Sequence, residues 1–142
     1  MKFNTISEII KDLRKGKMVI IVDDEDRENE GDLVIAASFV TPSAINFIIK
    51  YARGLVCMPM EGERLDELGL HPMFEDNQDT FKTAWAISVD AKKRTTTGIS
   101  AHDRSVTIKD LVNSKTRPDD LARPGHVFPL RAKSGGVLTR AG

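Results

Sequence analysis

Residues 22–32 read VDDEDRENEGD, with seven carboxylates and one guanidinium, Arg27, in eleven positions. The whole chain has 21 acidic residues, so a third of them lie in this stretch. Like charges this close repel one another, and more strongly where burial lowers the dielectric. Two uses of such a run are open. A solvated turn is the ordinary one, because Asp, Asn and Gly are common loop residues. The chemical use starts from side-chain alternation: in an extended chain Glu28, Glu30 and Asp32 point to one side. Three converging carboxylates need a cation. Magnesium suits such a place, being hard and oxygen-preferring, with one or two protein carboxylates enough while substrate and water complete its shell. Oxygen ligands do not separate it sharply from manganese. Arg27 would then offset part of the charge or grip a substrate oxygen.

Other polar groups have the same two-sided character. Thr95-Thr-Thr-Gly-Ile-Ser100 stands before a helical pattern, and its hydroxyls, including Thr97, could cradle a phosphate with Gly98 and the helix N–H groups. A capped loop is the commoner use of such residues. The spacing matches neither a P-loop nor a dinucleotide fingerprint. His126 lies in Ala122-Arg-Pro-Gly-His-Val-Phe-Pro-Leu130, where two prolines and a glycine restrict the backbone, as suits a side chain that must be aimed. A lone histidine at a strand start is still more often structural. His71 and His102 read as surface residues. Arg140, behind Gly135-Gly136, is a candidate for phosphate or carboxylate recognition, although arginines near a chain end are usually solvated. Cys57, within an apolar run, reads as a small core residue.

These groups need elements to hold them. Ile6, Ile9, Ile10 and Leu13 have helical spacing, with Ser7 as expected cap and Gly16 as stop. Met18 to Val22 and Leu33 to Ala37 are apolar runs of strand length, joined by the acidic stretch. Thr41-Pro42 reads as N-cap and first helical residue. Ile45, Ile48, Ile49 and Ala52 make an apolar stripe that Gly54 ends. Leu55 to Met58 predicts a buried strand, and Arg64 to Leu68 a short helix. Residues 70–80 read as loop and Thr83 to Val89 as strand. Ser100 with Asp103 suggests a capping box for a helix carrying Val106, Leu111 and Val112. Val127 to Leu130 and Val137 to Leu138 predict two further short strands. Strands mixed with helices imply an α/β or α+β protein, a sheet with helices packed on it.

Composition narrows the function. With 142 residues and 40% hydrophobic content the chain supports one domain with a core. Its 21 basic and 21 acidic residues leave no net charge, so nucleic acid is a poor first guess. One cysteine allows no internal disulfide, and no Cys/His cluster has zinc spacing. The N-terminus lacks an apolar stretch of signal-peptide length, and no run reaches membrane-spanning length. These features predict a soluble cytoplasmic domain with neither nucleic acid nor membrane as partner.

In this order, DDEDRENEGDLVIAA, TTTGIS, DLARPGHVFPLRA and GGVLTRAG resemble the 3,4-dihydroxy-2-butanone 4-phosphate synthase family of riboflavin biosynthesis. The resemblance runs from the first helix to the last residue. It implies a mixed β-sheet flanked by helices, and magnesium-dependent conversion of D-ribulose 5-phosphate to formate and L-3,4-dihydroxy-2-butanone 4-phosphate. It also implies a homodimer with sites at the subunit interface. By match of motif, Glu28 corresponds to the metal ligand that also touches substrate, and Arg27 and Asp32 to sugar contacts. Arg140, Ala141 and Gly142 correspond to the start of the phosphate-binding segment, and His126 to a position needed for activity. Glu30 and Thr97 are further candidates. The family pattern continues after Gly142 with His-Thr-Glu-Ala, supplying another metal ligand, and later with a catalytic glutamate. Residues 1–142 therefore read as one incomplete synthase domain, in many bacteria fused to GTP cyclohydrolase II. The rivals are another magnesium-dependent sugar-phosphate isomerase or lyase, and a non-catalytic module that binds metal or sugar phosphate.

Little or no turnover is expected of the 142 residues alone. Formate release from ribulose 5-phosphate checks it, and turnover like that of a full-length synthase would refute it.

Overall fold

A computed structural model describes residues 3–140 of the chain. The first helix, α1 (Ile6–Arg14), is capped by Thr5 rather than by the expected Ser7. Thr5 and Glu8 form a reciprocal capping box, with the Thr5 amide donating to Glu8 Oε2 at 2.8 Å. Ser7 is also a good capping type; the glutamate three places after Thr5 decides between them.

The two apolar runs flanking the acidic stretch become β1 (Val19–Val22) and β2 (Gly31–Val34), an antiparallel hairpin in which Val22 faces Gly31 and Val19 faces Val34. The acidic residues are its connection. Ile20, Ile21 and Val22 are exposed, so this part of the ribbon does not contribute to the core.

A second, three-stranded sheet carries the core. Its strands β3 (Cys57–Met60), β4 (Val89–Ala91) and β5 (Leu121–Arg131) lie in the order β3-β5-β4. β5 runs parallel to β3 and antiparallel to β4, so the sheet is mixed as expected. Between Val89 and Asp90 the β4–β5 register breaks: Val89 pairs with Val127, but Asp90 pairs with Ala122. The residues of β5 between those partners are pushed out of the ladder, as in a large β-bulge.

The helices follow their sequence signals. α2 (Pro42–Tyr51) begins at Thr41, whose hydroxyl accepts from the Ala44 amide at 3.1 Å. α3 (Gly62–Glu67) is short, and α4 (Ala101–Val112) starts at Ser100. α4 packs on β4 and against α2. Arg64 of α3 reaches the end of α4, donating to the Asn113 carbonyl at 2.7 Å and so satisfying a terminal acceptor. Ile45, Leu65, Leu68, Leu70, Val89, Leu111, Leu121 and Val127 are no more than 1% exposed and form one core between sheet and helices.

Two expected strands do not form among the described residues. In the 83–88 segment only Trp85 and Ala86 make isolated bridges, to Leu130 and Pro72, and regular pairing starts at Val89. The Ala86 and Ile87 amides donate to different segments, at Pro129 and His71, so no continuous ladder forms there. Val137 and Leu138 sit in a 3₁₀ turn (Gly136–Leu138), because Gly135 and Gly136 adopt φ of 88° and 58° and bend the backbone away from extension.

Leu111→Ala, at a site with no exposure, is expected to cost about 2–5 kcal/mol of stability. Urea unfolding followed by circular dichroism measures it; a loss below about 1 kcal/mol would mean this core is not closely packed.

Candidate active site

The acidic connection is a self-satisfied turn. Arg27 donates its amide to the Asp24 carbonyl at 3.0 Å, and Asn29 has φ of 50°, so the chain is folded back rather than extended. Asp23 is its organiser. Its Oδ1 accepts from the Glu30 amide at 2.9 Å, and its Oδ2 from the Glu28 amide at 3.0 Å and Arg27 Nη1 at 2.9 Å. The Glu30 amide first, then the Glu28 amide and Arg27, hold the Asp23 carboxyl below the usual range against the opposing effect of burial. Glu28 is differently placed. Its carboxylate meets the Arg27 guanidinium, with Oε1 at 2.8 Å from Nη2, and its side chain is 27% exposed.

The expected convergence of Glu28, Glu30 and Asp32 is corrected by this turn, since alternation holds only in extended backbone. Among the described residues no group of three or more His, Cys, Asp or Glu is placed to hold a metal ion. Glu28 fits magnesium or manganese as one hard oxygen ligand, because among the described residues no backbone amide occupies it and it stands beside Arg27. A metal of this kind completes its shell from substrate oxygens and water. Asp32 lies in β2, close enough to β3 for its charge to act on Cys57. Burial first, and then Asp32, push the Cys57 thiol up to about 11, so it stays protonated at neutral pH. Cys57 is partly rather than fully buried.

Residues 77–83 join the two arginines singled out in the sequence. Asp79 Oδ2 accepts from the Phe81 and Thr83 amides at 3.1 and 2.9 Å, closing a tight loop. Arg27 lies over the Phe81 ring, 5.7 Å from its centroid. Arg140 Nη2 donates to the Phe81 carbonyl at 3.1 Å and contacts Thr83 Oγ1 at 3.3 Å. Two guanidiniums far apart in the chain thus both contact Phe81 of this loop, each also beside carboxylates, Arg27 at Asp23 and Glu28 and Arg140 within electrostatic range of Asp79. Nothing in the residue pattern pointed to this role for the loop, beyond its Asn77 and Asp79 as turn formers.

A second cluster surrounds the β-bulge. His126 stands in it, and Asp90 of β4 accepts from the His126 amide through Oδ1 at 2.9 Å, while its Oδ2 is 2.7 Å from His126 Nδ1. Gly125 lies flat against the backbone of Val89 and Asp90, where any Cβ would overlap it, and its amide donates to Ser88 Oγ at 3.1 Å. Asp90 is the functional neighbour that sequence reasoning missed. The available signal was an acid in the apolar run Ile87-Ser-Val-Asp-Ala91, since a buried charge needs a partner.

The Thr95–Ser100 loop covers this pair. At Gly98, with φ of 90°, a Cβ would collide with the Asp90 carboxylate and come within 2.8 Å of His126 Nδ1. The expected phosphate cradle is not free, however. Asp103 Oδ2 takes the Thr96 amide, Thr96 Oγ1 and the Gly98 amide at 3.1, 2.9 and 3.0 Å. Its carboxylate thus occupies the place an anion would take, which is why the Ser100 cap lacks the reciprocal half of a capping box. Ser100 Oγ still accepts from the Asp103 amide at 2.9 Å. Thr97 is exposed on this loop; His71 and His102 are exposed, as expected. Ala141 and Gly142 lie outside the described residues.

Fold and site together define an α+β domain with a carboxylate–guanidinium turn, a paired-arginine loop and an aimed imidazole. A family model, 3,4-dihydroxy-2-butanone 4-phosphate synthase, matches residues 7–142. The chain belongs to that family. It is 59% identical over 143 residues to the riboflavin biosynthesis protein RibBA of Aquifex aeolicus, covering 99% of this chain and 35% of that protein. It is 57% identical over 137 residues to the 3,4-dihydroxy-2-butanone 4-phosphate synthase of Neisseria meningitidis serogroup B, covering 96% and 38%. The chain thus spans little more than a third of these relatives. Among solved structures, a 3,4-dihydroxy-2-butanone 4-phosphate synthase in complex with two magnesium ions superposes with a TM-score of 0.95 at 45% identity, over 99% of this chain and 65% of that one. A two-domain synthase from A. baumannii gives 0.92 at 49% identity, over 98% and 41%.

Burial pushes the Asp103 carboxyl up, but Thr96, the Gly98 amide and Ser100 outweigh it and hold it below the usual range. A lowered folded value means stability present above the unfolded value of about 3.9 and lost as pH falls through the folded one. Asp103→Asn should therefore lower the thermal midpoint at pH 7, with the deficit shrinking as pH drops below about 4. A deficit independent of pH would show that the charge of Asp103 does not hold the loop.

Proposed function

We propose that this domain, within a protein of the length its relatives have, converts D-ribulose 5-phosphate to L-3,4-dihydroxy-2-butanone 4-phosphate and formate. The observation that carries the reading is that Arg27 and Arg140 both contact Phe81 of the 77–83 loop, with Glu28, a carboxylate held by no backbone donor among the described residues, beside Arg27. Such a pair suits a phosphorylated, oxygen-rich substrate. Arg140, with Ala141 and Gly142, starts the phosphate-binding segment; Arg27 and Asp32 contact the sugar. Glu28 would hold a divalent cation, magnesium by preference with manganese as substitute, and is itself a substrate contact. Glu30 and Thr97 stand in support.

Removing one carbon from a ketose phosphate requires enolisation, migration of the carbon skeleton and expulsion of formate. Each stage places negative charge on neighbouring oxygens and moves protons at several carbons. The cation, when bound, supplies Lewis-acid stabilisation of that charge. His126 takes and returns protons as general acid–base. Arg27, fixed over Phe81, orients the sugar; Cys57, held protonated, does not compete as a nucleophile.

Residues 1–142 belong to one synthase domain on this reading, a cytoplasmic lyase domain working as a homodimer. The exposed Ile20, Ile21 and Val22 on the hairpin give a second copy an apolar surface to cover. Among the described residues no helix is long and apolar enough to cross a membrane.

The test grafts residues 1–142 onto the remainder of the Aquifex aeolicus protein and measures formate release from ribulose 5-phosphate with magnesium. Turnover is expected, and Glu28→Ala should lower it by roughly 10²-fold or more, with EDTA doing the same to the unaltered chimaera. Full turnover by Glu28→Ala in the presence of EDTA would overturn the assignment.

A further inference from the structure

We infer that Asp79 is a positioning residue for Arg27 and Arg140. Its oxygens take the main-chain amides of residues 81–83 and so fix Phe81, whose ring meets one guanidinium and whose carbonyl meets the other. This deepens the reading of the two arginines as substrate contacts and rests on it for its purpose, though not for its geometry.

Residues 81–83 offer three consecutive amides, and all three go to Asp79. Its Oδ2 accepts from Phe81 at 3.1 Å and from Thr83 at 2.9 Å, and its carbonyl accepts from Lys82 at 3.0 Å. Asn77 completes the closure. Its Oδ1 accepts from the Asp79 amide at 2.9 Å, and its Nδ2 donates to the Thr83 carbonyl at 2.7 Å. Lys82 Nζ donates in turn to the Asn77 carbonyl at 2.7 Å. Asn77 and Asp79 are half-buried, although Glu75, Asp76, Gln78 and Thr80 around them are exposed. In a stretch outside any helix or strand ladder, backbone donors need such side-chain acceptors.

With its amides turned onto Asp79, the segment presents its other groups to the arginines. The Phe81 carbonyl accepts from Arg140 Nη2 at 3.1 Å, and Thr83 Oγ1 lies 3.3 Å from the same nitrogen. The Phe81 ring lies under Arg27, whose Nη1 and Nη2 go to Asp23 and Glu28. Phe81 is 43% exposed, so burial in the core does not hold it, and its place comes from the backbone beneath. Both side-chain bonds of Asp79 use the lone pairs of a single oxygen. An asparagine carbonyl has two lone pairs as well, whereas alanine has none to offer. The charge of Asp79 also acts on Arg140, but it is the acceptor oxygen that closes the loop.

Amide hydrogen exchange in the 142-residue protein at neutral pH reads this hold directly. The Phe81 and Thr83 amides should be protected in the unaltered chain and in Asp79→Asn, and should exchange roughly tenfold faster or more in Asp79→Ala. In the grafted chimaera Asp79→Ala should raise KM for ribulose 5-phosphate about tenfold and change kcat by less than about threefold, while Asp79→Asn keeps KM near the unaltered value. A merely structural loss, with fewer folded molecules, would lower kcat and leave KM alone. Unprotected amides in the unaltered chain overturn the inference. So does unchanged protection or unchanged KM in Asp79→Ala, or failure of Asp79→Asn to keep both. Should Asp79→Ala not fold, the unaltered chain and Asp79→Asn decide. An unaltered chimaera without turnover would overturn the functional reading instead, and exchange at the two amides would then decide the inference alone.

Discussion

β5 must satisfy two neighbours that ask different things of it. Against β3 it runs four residues in unbroken parallel register, from Phe128 to Arg131. Against β4 it must change register between Val127 and Ala122 while β4 advances by a single residue. The excess chain cannot be absorbed in a flat ladder, so it leaves the sheet, and its polar groups need other partners. Ser88 takes the Gly125 amide and Asp90 takes the His126 amide. Those two acceptors sit beside Val89, a residue with no exposure in the core. The imidazole is therefore fixed by the same contacts that close the middle of the sheet, and loosening one would loosen the other.

Negative charge is handled in two ways in this molecule. Asp23 and Asp103 turn their oxygens onto backbone amides and so act as internal anions, one organising the hairpin connection and the other the Thr95–Ser100 loop. Glu28 instead faces a guanidinium. The distinction matters because an amide-bound carboxylate loses those bonds if it turns to a cation, whereas Glu28 has no such amide bond to lose among the described residues. A dense acidic run thus divides into residues that build and residues that remain able to bind.

Much of this was legible in the residues. The helix starts at Thr41 and Ser100, the strand pair flanking the acidic stretch and the mixed α+β character follow from capping and apolar runs. The motif order alone pointed to the family. What failed had local causes. Glu28, Glu30 and Asp32 do not line one side because Asn29 takes a left-handed conformation in mid-stretch. Thr95–Ser100 looked like an anion cradle because no local pattern says that Asp103 fills it. Thr83 to Val89 has strand-like residues, yet the Ala86 and Ile87 amides donate to different segments, at Pro129 and His71. Asp90 stands out as an acid in an apolar run, but its partner lies 36 residues away, beyond any periodicity.

Phe81 ties two parts of the molecule together. Its ring lies beneath Arg27, and its carbonyl holds Arg140. These are two ends of one residue, and Lys82 beside it sits at a left-handed φ of 55°. Phe81 thus clamps two distant stretches of chain, the hairpin connection through its ring and position 140 through its carbonyl.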